Sequence, residues 1–163
     1  MVTTAMVDVL LPSRRLVLSG GVALGLVTAL PLRAQSDTIW SAAEAYQALV
    51  EDRIRLVDVR SREEWMQTGV AEGAWPISLH EPRFLQRLLA AKTRAEDRPV
   101  AVICAVGGRS NAVLTGMLDA GYGGIIDVSE GMMGSSRGPG WIAGGFPIVS
   151  VEDALEALPS DLT

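Results

Sequence analysis

Short apolar runs and one-sided amphipathic stretches alternate along the chain after residue 38. The runs are Ile39-Trp40, Ile54 to Val59, Ala74-Trp-Pro-Ile77, Val100 to Ile103 and Ile125 to Val128. The run Ile54 to Val59 is bounded by charged residues, as expected of a strand flanked by helices. Pro76 marks its strand as an edge or an irregular pairing. Between them the period changes to that of helices. Ser41-Ala-Ala-Glu44 and Ser61-Arg-Glu-Glu64 are capping boxes that predict helices to about Val50 and to about Gln67, the second stopped by Gly69. Phe84, Leu85, Leu88 and Leu89 form one face of a helix ending near Lys92. A further helix is expected from about Ser110 to Ala120, with Val113, Leu114, Met117 and Leu118 inward and Gly121 as its stop.

Strands alternating with helices at this spacing predict a single α/β domain over residues 35–149. Its expected core is a parallel sheet of about five strands with helices on both faces. Residues 150–163 read as a helix capped at Ser150, running to about Leu158, and a tail. Gly131 to Gly145 holds six glycines and is expected to be irregular. A loop of this length in a small domain is usually functional or mobile. Trp141 and Arg137 within it are candidates for the mouth of a site, whereas Trp65 and Trp75 are expected in the core.

The N-terminus has a different pattern. Leu16 to Leu30 is a run of fifteen residues without charge, short of the about 20 needed to span a bilayer. Arg14-Arg15 precede it and Arg33-Ala34 follow. Residues 1–34 therefore read as an export signal of the twin-arginine class, cleaved near Ala34, and the mature domain is expected in the periplasm with no membrane span. The alternatives are an uncleaved anchor and an ordinary secretion signal. Removing this segment takes the formal net charge from −5 to −7. An acidic domain argues against nucleic acid as a partner. One cysteine forbids an internal disulfide, and with His80 as the one histidine, no metal-ligand spacing is present. Neither a metal nor a cofactor is expected.

That cysteine is the main candidate for chemistry. Cys104 ends the apolar strand from Val100 and opens the loop Ala105-Val106-Gly107-Gly108, closed by Arg109 and Ser110 ahead of a helix. Ligands of open α/β sheets bind at the carboxyl ends of strands, where loop amides and a helix N-terminus favour negative charge. Gly107 and Gly108 let the backbone curl into an anion nest. Arg109 adds a permanent positive charge, or pairs with a carboxylate and stiffens the loop. Ser110 reads as a helix N-cap or, as the alternative, a hydrogen-bond donor to the sulfur. Together these features favour thiolate over thiol. The contrary reading is a cysteine acting only as a small core hydrophobe.

Three motifs in this order resemble the single-domain rhodanese-like sulfurtransferases. They are Leu56-Val-Asp58-Val-Arg60-Ser-Arg-Glu-Glu64-Trp65, then Gly69-Val-Ala-Glu-Gly-Ala74, then Cys104-Ala-Val-Gly-Gly-Arg109-Ser110. Gly121-Tyr122, Glu130-Gly131, Trp141 and Gly145-Phe-Pro147 complete the resemblance, which spans about Ile39 to Pro147. It departs from the family at Val70, where histidine is common, and at Glu130, where a second glycine is frequent. The resemblance implies that Cys104 attacks the outer sulfur of a donor such as thiosulfate and carries it as a persulfide to cyanide or a thiol acceptor. A partner protein could serve as that acceptor. Ala105, Val106, Gly107, Gly108 and Ser110 would form the substrate cradle and Arg109 would add charge beside the nucleophile. Asp58, Arg60 and Glu64 are expected to be structural, with Arg60 paired to Asp58 or Glu64. One rival is a carrier or docking module that holds a persulfide without turnover. A phosphatase or arsenate reductase fits less well, because such enzymes space cysteine and arginine one residue further apart.

Overall fold

A computed structural model describes residues 38–163; the expected export signal lies outside them. In chain order the elements begin β1 (Ile39–Trp40), α1 (Ala42–Val50), β2 (Arg55–Asp58), α2 (Arg62–Thr68), β3 (Val70–Ala71), β4 (Trp75–Pro76) and α3 (Phe84–Arg94). They continue with β5 (Val100–Ile103), α4 (Gly108–Asp119), β6 (Ile125–Val128), α5 (Gly140–Ala143), β7 (Ile148–Val149) and α6 (Val151–Glu156), before a final 3₁₀ turn (Ser160–Leu162). Among the described residues no helix is long and apolar enough to cross a membrane.

The five-stranded sheet has the order β1-β6-β5-β2-β4, and every pairing in it is parallel. Both faces are covered. On one, Leu56, Ala101, Ile103, Ile126 and Val128 pack with α1 alanines and with Trp65, Met132 and Trp141. On the other, Val57, Val100, Val102 and Ile125 pack with Leu88 and Ala91 of α3 and Val113, Leu114 and Met117 of α4. Alternation along a strand sends successive side chains to opposite faces, which assigns Val102 and Cys104 alike to the α4 side. Asp58, Ile103 and Val128 are in register at the carboxyl ends of β2, β5 and β6. Cys104 is therefore the first residue beyond the central strand, on the edge where the loops meet.

Both capping boxes form, at Ser41 with Glu44 and at Ser61 with Glu64. Several expectations are corrected. Helix α4 begins at Gly108 because Gly107, with φ of 86°, takes the cap position in a conformation costly for other residues. Helix α3 runs on to Arg94. The stretch read as irregular contains α5. A small antiparallel pair, β3 with β7, joins Val70 to Val149 and Ala71 to Ile148. Trp141 does not line a mouth: it is fully buried, its ring edge-on to Tyr46 at 5.7 Å and to Phe146 at 5.5 Å, its Nε1–H donating to Pro147 O at 2.9 Å. An indole with its one donor satisfied is a core element. Trp65 is buried as expected, while Trp75 is only partly so.

Candidate active site

Cys104 is 1 % exposed and packs on the α4 side of the sheet. Its surroundings are not wholly apolar. Ser110 Oγ lies 3.5 Å from Sγ and donates its hydrogen to Gly107 O at 3.1 Å. Ser110 is buried in the first turn of α4 and is not the cap, which corrects the expected N-cap role. The loop between them is curled tightly. Ala105 is partly exposed, Val106 and Gly108 are exposed, and Gly107 is buried. Among the described residues, no N–H from Ala105 to Ser110 donates to a protein acceptor. These six donors lie at a strand end and a helix start, where N–H groups lack intrahelical partners.

The loop is braced from beneath by main chain. Met132 N–H donates to Cys104 O at 2.8 Å and Met133 N–H to Ala105 O at 2.8 Å. The approach is so close that a Cβ at Gly131 would lie 2.4 Å from Ala105 O, and one at Gly107 would lie 2.1 Å from Ser129 O. Both glycines have positive φ, at 70° and 86°. Glu130, the departure noted in the sequence, is buried and accepts a hydrogen bond from Gly140 N–H at 3.1 Å. It ties the chain that follows β6 to the start of α5.

Arg109 forms a bidentate pair with Glu64, Nη1 to Oε2 at 2.8 Å and Nη2 to Oε1 at 2.5 Å, and approaches His80 Nε2 at 3.5 Å. The hydrogen bonds from Arg109 hold the Glu64 carboxyl at about 2, well below its ordinary 4.5, against a smaller opposing effect of burial. Glu64 in turn raises the arginine, and the nearby Cys104 sulfur adds to that effect. Arg109 thus forms the ion pair with a carboxylate that was one of its two expected parts, tying the loop to α2. Arg60 pairs with Asp58 alone, Nη2 to Oδ2 at 2.6 Å, and not with Glu64. The tie between Glu64 and Arg109 joins residues 45 apart in sequence and escaped the sequence reading.

Beside the loop, on the β6 side, lies a polar cleft of about 250 Å³ lined by Gly107, Asn111, Asp127, Ser129, Ser135 and Arg137 among others. Arg137, one of the two residues expected at a mouth, lines this cleft beside the loop. Asp127 was not singled out by the sequence reading, although a lone carboxylate inside the apolar run Ile125-Ile-Asp-Val128 was the available signal.

The chain matches the family model described as the rhodanese-like domain over residues 41–137. An uncharacterised protein of Rickettsia conorii is 28% identical over 116 residues, covering 65% of this chain and 92% of its own. An uncharacterised protein of Rickettsia prowazekii is 26% identical over 113 residues with the same coverage. Among solved structures, a protein of M. tuberculosis is similar with a TM-score of 0.51 and 26% identity, over 67% of this chain and 94% of that one. A rhodanese-like domain protein from Staphylococcus aureus shares the fold, with a TM-score of 0.50 and 24% identity, over 69% of this chain and 99% of that one.

Proposed function

Since the chain belongs to the rhodanese-like domain family, we propose that it is a sulfurtransferase whose Cys104 carries a sulfane sulfur from a donor such as thiosulfate to cyanide or a thiol. The observation that carries the reading is the run of six amides, Ala105 to Ser110, that have no acceptor among the described residues and directly follow a cysteine at the end of the central strand. In the first step the Cys104 thiolate attacks the outer sulfur of thiosulfate. A new S–S bond forms, the bond to the sulfonate sulfur breaks, and its electron pair leaves with sulfite. In the second, the acceptor attacks the outer sulfur of the persulfide and the Cys104 thiolate leaves. The amides and Arg109 stabilise negative charge at each stage without rearranging, which is the oxyanion-hole principle applied to sulfur. Such a domain would act in the periplasm if Arg14-Arg15 direct export.

A second reading, a sulfur carrier that meets a protein partner, is favoured by a separate observation. Val106 and Met133, next to the loop, are apolar and exposed at 56% and 55%. Isolated exposed side chains are ordinary, but a pair flanking a nearly covered thiol suits docking. Incubation with thiosulfate and cyanide distinguishes the readings. Thiocyanate formation that falls by about a thousandfold or more in Cys104→Ser supports turnover. A gain of one sulfur on Cys104 without thiocyanate supports the carrier. No mass gain with thiosulfate or polysulfide in a folded sample refutes both.

A further inference from the structure

The polar cleft of about 250 Å³ beside the Cys104 loop is lined by two side chains of opposite charge that form no ion pair with each other. Asp127 is 2 % exposed, in the middle of the hydrophobic strand β6. Its Oδ2 accepts from Asn111 Nδ2 at 3.4 Å, a long bond, and its Oδ1 is sealed from solvent without a hydrogen-bond partner. A carboxylate so short of water and donors is costly, and an apolar residue would fill this place in the strand at lower cost. Arg137 is exposed on the chain after β6, and it hydrogen-bonds through its main chain, N–H to Ser135 Oγ at 3.1 Å. Among the described residues its guanidinium has no hydrogen-bond or ion-pair partner, whereas Arg60, Arg87 and Arg109 each hold a carboxylate.

One wall of the cleft is the loop that follows Cys104, through Gly107 and Gly108. The register partner of Asp127 on β5 is Val102, two residues before Cys104. Register partners share a face, as do residues i and i+2, so Asp127 and Cys104 are diagonal neighbours on the α4 side of the sheet. The volume falls below the range of about 300–1,000 Å³ usual for drug-sized ligands, which restricts the occupant to a small molecule.

We propose that this cleft seats the sulfur acceptor, and that the acceptor is a small zwitterionic amino thiol of the α-amino acid class, such as cysteine. This rests on Cys104 being the sulfur-carrying nucleophile. The ammonium group meets the Asp127 carboxylate, the ligand's carboxylate meets the Arg137 guanidinium, and the thiol, two bonds from the carbon that carries both charges, lies at the loop. Each protein charge thereby gains the partner that the fold withholds. The acceptor reacts as its thiolate, its proton already lost to solvent. Its sulfur attacks the outer sulfur of the Cys104 persulfide. A new S–S bond forms there, the bond to Cys104 Sγ breaks, and the electron pair returns to Cys104 as thiolate. The product is the persulfide of the amino acid, and no oxidant or reductant is required. Burial pushes the Asp127 carboxyl above its ordinary range, with Arg137 among the groups that pull it back; a bound ammonium adds to that pull.

The test compares acceptors on the full chain loaded with sulfur from thiosulfate. At equal thiolate concentration, kcat/KM for L-cysteine should exceed that for cysteamine, which lacks the carboxylate, and that for 3-mercaptopropionate, which lacks the ammonium, by about tenfold each. Arg137→Ala should erase the advantage over cysteamine, and Asp127→Asn the advantage over 3-mercaptopropionate. Arg137→Ala, at an exposed position, carries the test if Asp127→Asn does not fold. A merely structural loss would lower kcat/KM for every acceptor, cyanide included, and keep their ratios. L-serine carries the same two charges with a hydroxyl in place of the thiol, so its binding, followed by saturation-transfer NMR, needs no sulfur donor. It should bind the native protein and bind Arg137→Ala about tenfold more weakly. Serine binding in a protein that forms no thiocyanate from cyanide overturns the sulfurtransferase reading and keeps the amino acid site. Equal kcat/KM for the three thiols in a protein that does form thiocyanate overturns the acceptor site alone, as does serine binding that Arg137→Ala leaves unchanged.

Discussion

Two arginine–carboxylate pairs stand at the carboxyl edge of the sheet, and what surrounds them differs. Arg60 and Asp58 are 1% and 0% exposed. Every arm of that guanidinium is used: Nε contacts both carboxyl oxygens at 3.0 Å, Nη2 also donates to Gly69 O at 2.7 Å, and Nη1 donates to Thr68 Oγ1 at 2.7 Å. Arg109 and Glu64, also bidentate, are 30% and 29% exposed. The first pair, itself buried, joins the end of β2 to the end of α2 and the start of β3. The second stands partly open to solvent beside the Cys104 loop. Burial, more than pairing geometry, separates a charge that holds the scaffold from one that can answer to chemistry.

Removing one partner of each pair tests that contrast. The largest effect is expected for Asp58→Ala, which strands a buried guanidinium: denaturant unfolding should show a loss of about 3–5 kcal/mol. A loss below about 1 kcal/mol would mean that this pair is no more structural than the other. Next comes Arg109→Ala. Its alkylation rate at neutral pH should fall by about tenfold while stability drops by about 1 kcal/mol or less; an unchanged rate would deny the arginine any hold on the thiol. The smallest effect belongs to Glu64→Gln. The native carboxyl sits at about 2 when folded against an ordinary 4.5, so its contribution is complete above about pH 4.5 and fades as pH falls through about 2. The variant should be slightly less stable at pH 7 and should lose less on acidification across that window, read by thermal melts at a series of pH values.

Much of the fold was legible because its elements repeat a simple logic. Short apolar runs became the parallel strands, and the two capping boxes fixed the starts of α1 and α2 within a residue. The two-residue strands β3 and β7 show no period long enough to read. Trp141 was misassigned because glycine density pointed to an open loop, while the burial of its indole is set by Tyr46 and Phe146. At the candidate site the chain order Cys104 to Ser110 gave the loop, and the glycine that caps α4 shifted Ser110 from cap to first turn. The partnership of Glu64 with Arg109 was hidden because Glu64 already had a local task, accepting from Ser61 N–H at 2.9 Å in its capping box. One carboxylate serving a near and a distant neighbour is visible only once the chain is folded.

The cradle's underside is backbone resting on backbone, sealed at Gly107 and Gly131, so its shape owes little to the identity of the side chains above it. A Cβ at Gly108 would meet no heavy atom within 4 Å, and Val106 projects outward. The rim is therefore a place where sequence can drift, or be redesigned, to suit a new donor or acceptor while the floor keeps its form: recognition and reactivity are separable inheritances of one short loop.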